Sequence, residues 1–265
     1  MVTRAVADTV TSNSRDATTA KLHWQQWFVL GVLLAVAMLS PSVFAAAWLQ
    51  TEASGMEDVA VAPDGKVWLA GENGTVWFSS DSGQSFKKIE ASGFRRISVA
   101  PDGVVWAVGS NGSLWSYANA RWTKTSASGM GDVSIAPSGK IWLAGTNGTV
   151  WFSDSHGDTF TKIEADGFSR ISAASNDTVW AVGFNGTLWK RRNGAWTQTQ
   201  ASGMQDVSAA PNGVVWLTGK NGTVWTLTAD GTFSQNEPAS GFESIVATSG
   251  VVWAVGKNET LWKYR

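Results

Sequence analysis

One seven-residue stretch constrains this chain more than any other. Gly71-Glu72-Asn73-Gly74-Thr75-Val76-Trp77 recurs at 109–115, 145–151, 183–189, 219–225 and 256–262. An apolar run ending in Trp68, Trp106, Trp142, Trp180, Trp216 or Trp253 precedes each copy. Asn-Gly between two runs of β-branched and aromatic residues is a strong hairpin signal, because a type I′ turn needs φ > 0 at both central positions. The sequence therefore predicts one β-hairpin used six times.

Measured from the glycine that opens each repeat (Gly55, Gly93, Gly129, Gly167, Gly203, Gly241), the spacings are 38, 36, 38, 36 and 38 residues. A fixed period of this size means a stack or ring of supersecondary units. Within the first repeat four strands are predicted at Met56–Ala62, Lys66–Ala70, Thr75–Ser79 and Ser85–Glu90. They are punctuated by Pro63-Asp64-Gly65, by Asn73-Gly74 and by Ser80 to Gly83. Four antiparallel strands per repeat is the size of a propeller blade.

The chain ends decide between a ring and an open stack. Each fourth strand carries an aromatic (Phe86, Trp122, Phe160, Trp196, Phe233), but the sixth repeat stops at Arg265 without one. Its counterpart lies at the other end, where Trp48 to Gly55 matches Trp122 to Gly129. Pairing the N-terminal strand with the last blade removes two exposed edges at once. The expected fold is thus all-β: a six-bladed β-propeller over residues 48–265, with four antiparallel strands per blade.

Residues 1–47 read as an export leader. A polar stretch with Arg4, Arg15 and Lys21 precedes the apolar run Phe28 to Leu39, and small residues before Ala46 and Trp48 predict cleavage after Ala45 or Ala47. With the Ala-rich tail the segment reaches the ~20 residues of a spanning helix, so an uncleaved anchor is the alternative. The mature protein is expected to be secreted or periplasmic, without membrane insertion. The chain has no Cys, so packing rather than disulfides must hold the exported fold. A net charge of −1 supplies no basic footprint for nucleic acid.

The repeats alternate. Odd ones open with Gly-Met (Met56, Met130, Met204) and even ones with Gly-Phe (Phe94, Phe168, Phe242), a two-blade unit of 74 residues. In the first repeat, Ser79-x-Asp81-x-Gly83-x-Ser85-Phe86 fits an Asp box; the third has Ser155 in place of the Asp, and the fifth is one residue short. An Asp box is a turn whose carboxylate satisfies its own backbone, and it is not a catalytic signature.

The mature chain has one His, His156, and two Tyr, Tyr117 and Tyr264, so a Ser/His/Asp system finds no residues to build it. No His/Asp/Glu cluster stands at metal-ligand spacing, and no cofactor is implied. Sialidases also carry Asp boxes, but they need clustered Arg and a Tyr nucleophile, whereas here the Arg are scattered. The chain is read as non-enzymatic.

Three residues after each opening glycine stand Asp58, Arg96, Asp132, Arg170, Asp206 and Ser244. On innermost strands these form a channel ring of alternating charge. Its members either neutralise one another or let Arg96 and Arg170 grip an anion by forked hydrogen bonds. The six turn asparagines each begin an N-x-[ST] triplet, which is read as turn chemistry rather than as glycan acceptors. The paired Trp of the second and third strands are read as wedge fillers between blades.

With repeats of the form G-x-x-x-[IV]-[SA]-x-[AS]-P-[DNS]-G-x-[VI]-W-x-x-G-x-N-G-[TS]-[VL]-W, the chain from Trp48 to Arg265 resembles the tectonin β-propeller family, which includes the tachylectin-type and fish-egg lectins. The resemblance implies a secreted six-bladed lectin that binds bacterial surface glycans or lipopolysaccharide sugars in repeated loop sites. The partial Asp boxes are also similar to Asp-box propellers of the photosystem assembly-factor type, which are protein-binding scaffolds. The expected glycan face combines the fourth-to-first-strand loops with the Asn-Gly turns, opposite the Asp boxes. Its candidate contacts are Glu72, Asn73, Ser110, Asn111, Thr146, Asn147, Phe184, Asn185, Lys220, Asn221, Lys257 and Asn258.

Overall fold

A computed structural model describes residues 46–236 and 238–265; apart from Ala46 and Ala47, the predicted leader lies outside the described residues. Residues 46–265 form one compact unit of six four-stranded antiparallel sheets. Blades 1 to 5 each use four strands consecutive in sequence. Blade 6 takes its outermost strand from the N-terminus, in the order of Trp48–Gln50, Leu261–Tyr264, Val252–Gly256 and Phe242–Ala247. Trp48 pairs with Tyr264 and Gln50 with Trp262, and the Ala47 N–H donates to the Arg265 carbonyl at 3.0 Å, so the ring is closed by its own termini.

In blade 1 the strands run Met56–Val61, Val67–Gly71, Val76–Ser79 and Lys87–Ile89. The fourth is shorter than predicted for a physical reason. The N–H groups of Gln84 and Ser85 donate to the Asp81 carboxylate at 3.0 and 2.9 Å, which takes them out of the sheet ladder.

Every second strand is buried along nearly its whole length, and hydrophobic side chains alternate between the two neighbouring blades. This two-sided burial explains the 74-residue period. At odd-to-even interfaces the incoming second strand contributes Ala107, Ala181 or Ala254, and Phe94, Phe168 or Phe242 fills the space. At even-to-odd interfaces it contributes Leu69, Leu143 or Leu217, and the thinner Met56, Met130 or Met204 suffices. The alternation therefore conserves volume in two kinds of close-packed wedge.

The predicted type I′ turn is corrected. The Gly71 N–H donates to the Thr75 carbonyl at 2.7 Å and the Gly74 N–H to the Gly71 carbonyl at 2.8 Å, which makes a three-residue loop. Gly74 has φ of 78° but Asn73 is not left-handed, as in a type I turn closed by one αL residue. Blade 6 places Glu259 at that position with φ of 64°.

Candidate functional site

The asparagine is retained in all six turns for its carboxamide. Asn73 Oδ1 accepts from the Thr75 hydroxyl at 2.6 Å, and Thr75 Oγ1 in turn accepts from the Trp77 indole N–H at 3.0 Å. The same relay runs Asn111–Ser113–Trp115, Asn147–Thr149–Trp151, Asn185–Thr187–Trp189, Asn221–Thr223–Trp225 and Asn258–Thr260–Trp262. The N-x-[ST]-x-W pattern is thus a hydrogen-bond chain that fixes the plane of each indole. A Cβ on Gly71 would sit 2.6 Å from Thr75 Oγ1, so the relay also explains the glycine that opens the stretch.

Turns and connecting loops share a face, as expected: the Glu72 N–H donates to the Gly55 carbonyl at 2.9 Å, and the Phe94 N–H of the next blade donates to the Gly74 carbonyl at 3.1 Å. All twelve candidate contacts are exposed there. Glu72, Ser110, Thr146, Phe184, Lys220 and Lys257 hold the first turn position and the asparagines the second. Phe184, Lys220 and Lys257 lean over the preceding turn. A Cβ on Gly148 would meet the Phe184 ring at 2.9 Å, and the Lys220 and Lys257 ammoniums donate to the carbonyls of Phe184 and Lys220 at 3.0 and 2.7 Å.

The twelve do not form equivalent sites. On this face a recess of about 490 Å³ lies where blade 3 passes into blade 4. Phe184, Asn185 and Thr187 line it together with Trp189, Trp196, Phe168 and the connecting residues Glu164 to Gly167. The Phe168 and Trp196 rings stack 4.6 Å apart and Trp189 stands edge-on at 6.0 Å. Phe184 is 54% exposed at the mouth. A smaller counterpart of about 260 Å³ in blade 2 uses Phe94, Trp115, Trp122, Asn111 and Ser113, with Phe94 and Trp122 4.4 Å apart. The indole N–H groups of Trp122 and Trp196 are buried without a partner, whereas Trp48 at the matching place in blade 6 donates to Asn236 at 3.0 Å.

Sequence reasoning overlooked Phe168, Trp189, Trp196, Glu164 and Asp166. Their signal was present: an opening Phe together with a fourth-strand Trp occurs only in even blades.

Asp58, Asp132 and Asp206 line the channel. Each carboxylate accepts the backbone N–H of the next blade's innermost strand, Ile97, Ile171 or Ile245, at 2.8 to 2.9 Å. Arg170 lies 3.6 Å from Asp206 and Arg96 4.0 Å from Asp58, while Ser244 donates to Asp58 at 2.6 Å. Both arginines are therefore engaged by protein carboxylates, which favours the self-neutralising reading of the ring. Asp132 is left over. Burial pushes its carboxyl up to about 7, against the pull of Arg170. Burial also raises Asp206, and it raises Glu57 and Glu243 at the channel rim.

The opposite face carries an apolar funnel of about 530 Å³ around the axis, walled by Val61, Val99, Ile135 and Trp253 and rimmed by prolines. Among the described residues no group of three or more His, Cys, Asp or Glu side chains is placed to hold a metal ion, and no helix is long and apolar enough to cross a membrane.

Residues 55–156 match the Tectonin domain. The match spans blades 1 and 2 and most of blade 3. No curated protein matches the sequence. Among solved structures the propeller is similar to XC5397 from Xanthomonas campestris, a gluconolactonase, with a TM-score of 0.66 and 13% identity over 86% of this chain and 92% of that one. It is also similar to YCF48 bound to a D1 peptide, with a TM-score of 0.59 and 15% identity over 84% and 96%. YCF48 from Cyanidioschyzon merolae superimposes with a TM-score of 0.56 and 15% identity over 83% and 99%. At these identities the likeness is one of fold.

Proposed function

We propose that the protein is an exported, non-enzymatic carbohydrate-binding propeller that recognises cell-surface glycans, lipopolysaccharide sugars among them, through its Asn-turn face. The observation that carries this reading is the blade-4 recess, with the half-exposed Phe184 at the mouth of a pocket built from Trp189 and Trp196. A pyranose offers an apolar C–H face to such rings, while turn amides and carboxylates answer its hydroxyls. The Tectonin match and the leader read in residues 1–47 support the same assignment. Several weak sites on one face suit a polyvalent surface, where joint engagement raises avidity by ~10²–10⁴.

A glycan array with the purified mature chain tests the reading. Binding to a restricted set of glycans is expected, and no binding to any arrayed sugar or to lipopolysaccharide would overturn it. Turnover is not part of the proposal: incubation with gluconolactone should leave the lactone's spontaneous hydrolysis rate unchanged, and acceleration would refute the non-enzymatic assignment.

The apolar funnel favours a second reading, a scaffold that holds a protein partner. Capture of one stoichiometric partner that free sugars do not displace, and that a Val99→Asp change in the funnel abolishes, would select it.

A further inference from the structure

We propose that the blade-4 recess selects a pyranose bearing a free, protonated amine, while its blade-2 counterpart takes a neutral ring. This rests on the carbohydrate reading of the same face and adds the ligand's charge. The two recesses share the Phe-Trp-Trp trio, the turn asparagine and its hydroxyl partner. They differ at two places. Phe184 stands in blade 4 where Ser110 stands in blade 2, and Asp166 stands in the blade-3-to-4 connection where Ser92 occupies the blade-1-to-2 connection.

Glu164 and Asp166 both line the blade-4 recess and both are exposed. Among the described residues neither has an ion-pair or side-chain hydrogen-bond partner, in contrast to Asp58 and Asp206 in the channel. In blade 2 the matching Glu90 is not part of the recess wall. The nearby cation on the next turn is already committed, because the Lys220 ammonium donates to the Phe184 carbonyl. Phe184 leans back in the same sense, over Gly148 of blade 3.

The recess thus combines aromatic faces with two unneutralised carboxylates. An ammonium placed there gains charge-assisted hydrogen bonds and attraction to the ring faces, whereas a uronate or phosphate meets like charge. At a partly exposed site these terms amount to about five- to tenfold in affinity. In blade 6 the corresponding indole N–H is instead capped by Asn236.

Calorimetric titration of the mature chain with three trisaccharides tests this: glucosamine trimer, its N-acetylated form and a galacturonate trimer, each at about pH 6 and about pH 9, below and above the amine's titration. Glucosamine trimer should bind about five- to tenfold tighter than the acetylated form at the lower pH and lose that advantage at the higher. The galacturonate trimer should be weakest. Glu164→Gln with Asp166→Asn should abolish the preference without changing the melting temperature, and Ser92→Asp should introduce it in the blade-2 recess. Binding of the acetylated trimer with no preference for the amine, or a preference that survives the double substitution, would overturn this inference alone. Failure of all three trisaccharides to bind would overturn it as well, while a positive glycan array would leave the carbohydrate reading standing.

Discussion

Asp132→Asn should stabilise the protein at neutral pH and leave it unchanged in mild acid. Asp132 is 7% exposed, and its Oδ2 accepts the Ile171 N–H at 2.8 Å. Arg96 sits beside Asp58 and Glu57, and Arg170 beside Asp206, so no arginine is left to pair with it. The folded carboxyl, pushed up from 3.8 to about 7, keeps a proton that the unfolded chain releases near 3.8. Stability is therefore retained below about pH 4 and falls as the pH rises to about 7. At 1.36 kcal/mol per unit the loss reaches about 4 kcal/mol, an upper figure for a buried group. Asparagine offers the Ile171 N–H an acceptor, as the protonated acid does, but it cannot ionise. Urea unfolding of both proteins from about pH 4 to about pH 8 should give free energies that coincide at the acid end and diverge upward for the variant. Parallel curves, or a variant less stable at about pH 8, would refute the argument that Asp132 is the uncompensated member of the ring.

Other outcomes follow from the same geometry. Phe168→Met and Ala181→Leu should each destabilise by about 1–3 kcal/mol, the first by a cavity and the second by overpacking. The double variant, which imitates an even-to-odd wedge, should recover most of the loss in a thermal double-mutant cycle. Gly74→Ala should cost more than about 2 kcal/mol, since its Cβ would lie 2.4 Å from the Gly93 nitrogen; Glu259→Gly should instead gain about 1 kcal/mol by relieving αL strain, both read by denaturant midpoint. Thr187→Val breaks the relay that orients Trp189 and should cost about 1–2 kcal/mol of stability. It should also weaken glycan binding at blade 4 more than the same-sized Thr149→Val change in blade 3 does.

Much of the architecture was legible before any coordinates. Six copies of one stretch, the spacing of the opening glycines and the missing sixth aromatic sufficed to predict the closed ring, and the Trp48 register bears this out. The turn type was misread because Asn-Gly is compatible with more than one hairpin loop. The choice depends on where Gly71 and Thr75 pair across the sheet, which residue types do not encode. The reason for Met and Phe alternation was equally out of reach, since it lies in the partner strand of another repeat.

The sequence by itself determined the repeat, the strand count, the closure and the face on which the turns gather, because each follows from local periodicity and turn chemistry acting within about 40 residues. Only the tertiary structure decided which of six similar repeats are open recesses, which charges in the ring are compensated, and which indoles lack a partner. Those properties belong to the seams between blades. Asn236 of blade 5 caps the Trp48 indole of blade 6 while the matching Trp122 and Trp196 indoles are left bare, so capping depends on a residue that the repeat containing the indole does not supply.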